Sequence, residues 1–334
     1  MSLNHPMIIE IWPGDWGLPT IDLECLKILA LVKFSGKEYK IKVSKNPYWT
    51  PNGTLPVVSH GKHVFHDYDE VMSYLRIKNV SPDHGLSTVE EADSLAYTYM
   101  VKEKLFPALQ YIWWLDEKNY IGLTRPWYCK VIPLPFNFYY PQRFVTNARK
   151  TVQAVCEAET ISEIENKLYS DAEKCLTSLS VKLGEKDFMF GAHPTSLDAV
   201  VFAYLAPLLK APFKNSILQN HLKSCTNLQK FVSRICQRYF PQDYQAFENK
   251  KKNEGSNKPN ISPDVDSDYP HKTRNTILAA LIATFAMTGY AFMVGLVQSV
   301  PPWPLSLLGE PIPTVHLKLL WDWSRMRIPY KKNE

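Results

Sequence analysis

The first part of the chain alternates short apolar runs with turn residues. Met7 to Trp12 (MIIEIW) lies between Pro6 and the Pro13-Gly14 turn and predicts a strand. Asp22 to Phe34 changes period: Leu23, Leu26, Ile28, Leu29 and Val32 fall at helical spacing, and Ser35-Gly36 follows, where Gly36 can take the left-handed cap. Tyr39 to Val43 alternates as a second strand. Thr54 to Val58 predicts a third, and Lys62 to Phe65 completes a hairpin across His60-Gly61. Asp67 is placed to N-cap a helix running to Leu75.

From Thr88 the strand pattern stops. Ala92, Leu95, Ala96 and Tyr99 share one helical face, and Ile161, Ile164, Leu168, Ala172, Cys175, Leu176, Leu179 and Leu183 form a stripe stopped by Gly184. Leu222 to Tyr239 predicts a last helix. The segment Arg125 to Arg143 (RPWYCKVIPLPFNFYYPQR) carries too many prolines for one regular helix. Its aromatics cover the edge of the core or present a partner surface, with Trp127, Phe136 and Phe138 the docking candidates. The order βαβ-ββα over residues 1–80 is a thioredoxin-like half, with Pro56 opening a strand where no N–H is required; residues 88–241 form an all-α domain.

Residues 242–273 turn polar, with Lys, Asn, Ser, Pro and Asp, and predict a flexible tether. Then comes a run without charge, Asn275 to Gly309. Its first part, Thr276 to Val297, matches the roughly 20 residues that cross a bilayer, and Lys272 and Arg274 mark its near boundary. The expectation is one transmembrane helix in 274–298, its threonines bonded to their own helix carbonyls. The competing reading is a buried core helix. A tail, 299–334, opens with Pro301-Pro302-Trp303-Pro304, and Val315 to Trp323 predicts a short interfacial turn.

Composition narrows the function classes. The 334 residues are 45% hydrophobic, enough for a substantial core, and the net charge of +5 is spread along the chain. Lys250-Lys251-Lys252 sits beside Glu248 and Glu254 and reads as a solvated linker, so no nucleic-acid footprint is present. Six scattered cysteines without a CxxC pair read as small core residues with free thiols in a reducing compartment. The first residues, MSLNHPMIIEIW, have no basic n-region and include Glu10, which leaves the C-terminal run as the targeting signal, with the body in the cytosol.

A thioredoxin-like half followed by helices is the glutathione transferase architecture. In Phe190 to Ala199, Thr195 can N-cap a helix while Asp198 returns a bond to the Thr195 amide, a box glutathione transferases carry in the same place. Leu55-Pro56 resembles that fold's cis-proline. An active enzyme of that type needs a hydroxyl or thiol near the first helix, yet Trp16 to Thr20 offers only Thr20, and Cys25 lies inside the helix. It also needs an acid and a serine after the hairpin; Asp67 is there, but Tyr68 replaces the serine and would crowd the helix N-terminus. His60, His63 and His66, three apart on a hairpin, point to opposite faces and read as solvated turn histidines rather than metal ligands. No catalytic, cofactor-binding or metal-ligating residue is assigned; Pro56, Thr195 and Asp198 are structural.

The residues resemble the metaxin family, most closely its metaxin 1 type. The likeness runs from Trp12 to about Pro241. It covers Trp16 to Pro19, Gly53 to Pro56, Glu103 to Pro107, Lys118 to Tyr120, Trp127-Tyr128, Pro133 to Phe138 with Pro141 and Arg143, and Phe190-Gly191 through Leu197 to Ala199. The anchor, with Gly289 and Tyr290, sits where that family has its own; the tail after Val300 departs from it. The resemblance implies a non-enzymatic subunit of the mitochondrial outer-membrane sorting and assembly machinery. Its partners would be a metaxin 2-type protein, a β-barrel insertase and mitochondrial precursor proteins. The alternatives are a membrane-tethered glutathione transferase and an adaptor linking mitochondria to microtubule motors.

Overall fold

In β1 (Met7–Ile11) the residues Met7, Ile9 and Ile11 are buried while Ile8 faces out, the alternation of a strand with one covered face. The computed structural model describes residues 5–156, 160–214, 216–256 and 272–293. β1 pairs in parallel with β2 (Tyr39–Val43) and antiparallel with β3 (Val57–His60), which pairs antiparallel with β4 (His63–Phe65). The sheet order is therefore β2-β1-β3-β4. Helix α1 (Leu23–Phe34) supplies the first crossover; Asp22 caps it by accepting the Cys25 N–H at 2.9 Å, and Gly36 follows at φ 67°. β3 opens directly after Pro56, whose peptide bond with Leu55 is cis.

Helix α2 (Tyr68–Ile77) begins after Asp67, but the Asp67 side chain makes no cap bond. Glu70, one turn in, takes the His66 N–H at 3.0 Å instead. His63 is exposed as a turn histidine is expected to be, but His60 is not. His60 is buried, shares a 2.6 Å hydrogen bond with the Tyr74 hydroxyl, and donates through Nε2 to the His5 carbonyl. A ring with both nitrogens bonded has no need of solvent.

α3 (Thr88–Met100) opens on a capping box between Ser87 and Glu90. Three π turns then interrupt the helical path, at Val101–Leu105, Tyr111–Leu115 and Tyr120–Thr124, around α4 (Phe106–Gln110) and α5 (Glu117–Asn119). Two have an evident cause. Pro107 and Pro126 have no N–H to offer the preceding turn, and the residue before each, Phe106 or Arg125, bonds five residues back, to Val101 or Tyr120. The aromatic, proline-rich segment is two pieces, as its prolines require: α6 (Arg125–Val131), a break containing the cis Leu134-Pro135 bond, and α7 (Phe136–Val155).

α8 (Ile161–Leu183) ends at Gly184, and α9 (Ser196–Lys210) is buried nearly all round, which makes it the central helix. The predicted helix Leu222 to Tyr239 is two, α10 (Ile217–Ser224) and α11 (Thr226–Tyr239). The buried stripes explain the break. Leu222 and Leu228 are six residues apart, and at about 100° per residue a straight helix would point them away from each other. A turn at Cys225 returns both to the core.

The segment assigned to a tether from 242 begins instead as α12 (Pro241–Ser256). Tyr244 and Phe247 pack on the core, Phe247 lies against Gly17, and Lys210 sits 4.8 Å from the Tyr244 ring centroid. Polar composition hid these two anchoring rings. Residues 257–271 lie outside the described residues.

The chain divides into units Met1–Pro270 and His271–Glu334. In the second, α13 (Lys272–Met293) is a 22-residue helix whose described side chains are all exposed. Thr284 and Thr288 bond back to the Ala280 and Thr284 carbonyls at 2.8 Å. Among the described residues no helix is long and apolar enough to cross a membrane. Thr276, the near end of the expected span, lies in α13; Val297 and the tail 299–334 lie outside the described residues.

Candidate functional site

Three places carry the chemistry the sequence singled out. The first is the turn before α1, where a transferase would hold a thiolate. Trp16 and Gly17 take the left-handed conformation at φ 54° and 79°. Asp15 holds this turn: its carboxylate accepts the Trp16 N–H at 2.8 Å and the Trp127 indole N–H at 3.0 Å. Thr20 is fully buried, and its hydroxyl accepts the Asp22 N–H at 3.4 Å. Burial, reinforced by nearby Asp22, pushes the Cys25 thiol well above its usual range. Both side chains are closed off from solvent. Asp22 faces an aromatic cavity between α1, the π turn Tyr111–Leu115 and α9, and burial raises its carboxyl to about 6 against the pull of the Cys25 N–H.

The second place is the N-terminus of α2. Tyr68 is buried and its hydroxyl donates to the Ser196 carbonyl at 3.1 Å, while Lys27 lies 5.0 Å from its ring centroid. A serine there would leave room for a ligand carboxylate. The phenol fills it and reaches across to α9. Beside it the buried Asp83 accepts the Ser196 N–H at 2.7 Å and pairs with Arg76 at 3.3 Å. The Ser196 carbonyl is thus held by Tyr68 of the thioredoxin-like half and its N–H by Asp83 in the connection that follows that half.

The box that starts α9 completes this joint. The Asp198 carboxylate accepts the Thr195 N–H and the Thr195 hydroxyl, each at 2.7 Å, and the Met189 N–H at 2.8 Å. Burial raises Asp198 to about 6, opposed by these donors. The sequence shows the box; the Asp83 and Tyr68 links to its middle residue had no local signal.

The third place is the proline-rich segment. Phe136 is half-buried, with its ring 4.8 Å from Tyr48 and 6.4 Å from Tyr140, and Tyr140 donates to the Gly53 carbonyl at 3.3 Å. Phe138 and Tyr139 are exposed, as are Tyr48 and Trp49, whose rings lie 5.5 Å apart. Phe136 therefore joins an aromatic rim with Tyr48, Trp49 and Tyr140 that spans both halves of the body, while Phe138, two residues on along α7, is exposed with no ring contact to that rim among the described residues. Trp127 is not placed with them; its indole is half-buried and bonded to Asp15. Lys40, Lys42, Lys45 and Lys62 lie in a stretch, 39–66, that contains no acidic residue, and 118–156 contains none either.

Residues 25–145 match the family described as outer mitochondrial membrane transport complex protein, and residues 172–235 match the glutathione S-transferase C-terminal domain. With the four-stranded order and the buried α9, these define the class: an outer-membrane transport-complex protein built on a glutathione-transferase-like body. Metaxin-1 of Mus musculus is 37% identical over 298 residues, covering 88% of this chain and 92% of that protein. Metaxin-3 of Xenopus laevis is 37% identical over 240 residues, covering 71% of this chain and 78% of its own. The chain belongs to the metaxin family and is of the metaxin 1 type.

Among solved structures, glutathione transferase GSTFuA3 from Phanerochaete chrysosporium aligns at 17% identity with a TM-score of 0.47, covering 69% of this chain and 96% of that one. Beta-etherase LigF from Sphingobium sp. strain SYK-6 aligns at 16% identity with a TM-score of 0.48, covering 74% and 100%.

Proposed function

We propose that the chain is a non-enzymatic subunit of the outer-membrane machinery that sorts and assembles β-barrel precursors, beside a metaxin 2-type partner and the insertase. Its body faces the cytosol and is held by the apolar run from Thr276 to Val297. Family membership carries the reading. The geometry supports it: the serine position of a glutathione site is filled by Tyr68, and Thr20 and Cys25 are buried. The aromatic rim that includes Phe136, together with the exposed Phe138, is the docking surface in this reading, and Pro56, Thr195 and Asp198 keep the body in shape.

Co-purification from mitochondria tests it. The full chain should bring down the insertase and the partner, and changing Phe136 and Phe138 to Ser should release them with the melting temperature of the body nearly unchanged. Retention of both partners by that variant would remove the docking assignment. Millimolar glutathione is expected to leave the melting temperature unmoved; a clear rise would favour a transferase instead. Replacing Ala286 and Met287 with Arg should move the chain to the soluble fraction, because each central charge costs about 2.5–3.5 kcal/mol in a membrane helix. An unchanged membrane fraction would end the anchor reading.

A further inference from the structure

At the first turn of α1 lies a cavity of about 60 Å³ whose polar and aromatic lining comprises Asp22, Gln110, Trp113, Trp114, Tyr128 and Tyr204. At about 15 Å³ of such space per water it holds a group of about four heavy atoms. The lining contains one carboxylate and no cation. The nearest lysine on α1, Lys27, is paired with Glu24 at 2.7 Å and packed over Tyr68. The electrostatic sign is thus opposite to that of a site for an anionic peptide.

The polar groups of this lining are under-used. Asp22 Oδ1 accepts the Cys25 N–H at 2.9 Å, and the only other hydrogen-bond donor to the carboxylate among the described residues is the weak Cys25 thiol. Tyr128 and Tyr204 are each 4% exposed, and the described residues supply no hydrogen bond to either hydroxyl, so both remain open to whatever enters the cavity. The backbone is unusual at the same spot. Trp113 and Trp114 are consecutive and both line the cavity, on one of the π turns, a distortion that recurs at functional sites.

We propose that this cavity binds a small organic cation, an alkylammonium group of trimethylammonium size, with Asp22 as counter-ion and the tryptophan and tyrosine rings as its cage. Aromatic walls attract a cation through their ring quadrupoles, and a desolvated carboxylate whose nearest ammonium, Lys27, lies outside the cavity lining favours taking one in. The group belongs either to a free amine or to a choline head group; both present the same chemistry.

The test uses the full chain in a maltoside detergent, titrated with choline, with phosphocholine, and with the neutral isostere 3,3-dimethyl-1-butanol, read by tryptophan fluorescence and calorimetry. Choline should bind saturably and about tenfold or more tighter than the isostere. Phosphocholine binding as well as choline points to a head group; choline alone points to a free amine. Asp22→Asn keeps an equally good N-cap and should weaken choline by about tenfold with the melting temperature checked in parallel. Gln110→Lys, which places an ammonium in the lining, should abolish binding. Equal affinity for choline and the isostere, or wild-type affinity in both variants, overturns the proposal.

Discussion

Asp22 and Asp198 sit at the first turns of the two helices that pack together at the centre of the body, and burial raises both carboxyls to about 6. Their surroundings differ. Asp198 receives three donors, from Met189 and Thr195, and the residue beside its cap, Ser196, is gripped by Tyr68 from the other half and by Asp83 from the connection between the halves. Asp22 receives the Cys25 N–H and faces a cavity with hydroxyls that lack partners among the described residues. The same residue type, in the same kind of place, is a structural joint in one helix and an available ligand in the other. What separates them is how completely the hydrogen-bonding capacity is used, because a buried polar group left unmatched costs free energy unless something else matches it.

Breaking the saturated side gives the largest expected effect. Asp198→Ala leaves two backbone N–H groups and a hydroxyl buried without acceptors, which should cost about 3–5 kcal/mol in chemical denaturation. An effect below about 1 kcal/mol would mean that water replaces the carboxylate and that the contrast with Asp22 is false. Asp83→Ala comes next, at about 2–3 kcal/mol, since it strips the acceptor from the buried Ser196 N–H. Tyr68→Phe should cost about 1 kcal/mol, and the double variant should depart from additivity by more than about 0.5 kcal/mol because both side chains hold one peptide unit.

The available side is sharpened by pH. A carboxyl at about 6 in the folded chain and 3.8 in the unfolded one binds more protons when folded between those values. Its contribution to stability is therefore full below about pH 4 and is lost as pH rises through about 6. Asp22→Asn lacks this loss. It should match the wild type near pH 4 and exceed it by about 1–3 kcal/mol at pH 7, a range that includes a reduction for the solvated cavity wall. Urea midpoints of the two proteins across pH 4 to 7 check the sign. Wild type the more stable at pH 7 would show that Asp22 is already paired.

Much of the frame was legible in the residues. The strands and α1 follow from period and turn chemistry, α8 from its stripe and Gly184, and the α9 box from Thr195 and Asp198. The π turns were not, because five residues are too few to separate one helical period from another. The prolines at 107 and 126, inside otherwise helical stretches, were the available signal. Polar composition concealed α12, in which Tyr244 and Phe247 pack on the body among many charged neighbours. The cavity was hidden for a different reason. Asp22, Trp113, Tyr128 and Tyr204 come from four separate elements, and nothing near any of them in the chain announces that they meet. The unoccupied hydroxyls are a property of the assembled core.

The smallest effect is the sharpest comparison, because it sets tyrosine against tyrosine. Tyr68 and Tyr204 are both nearly inaccessible, and burial pushes both phenols far above their usual range. Removing the Tyr68 hydroxyl breaks a bond to the Ser196 carbonyl and leaves that acceptor short. Removing the Tyr204 hydroxyl breaks no hydrogen bond among the described residues and takes a polar atom out of a largely apolar wall. Tyr204→Phe should therefore change stability by less than about 0.5 kcal/mol, or raise it slightly, against the loss of about 1 kcal/mol for Tyr68→Phe. Thermal melts of the two single variants in one buffer decide the matter. Equal losses would mean that a bound water already serves Tyr204, and the cavity would then be a hydrated seam between the halves rather than a site awaiting a cation.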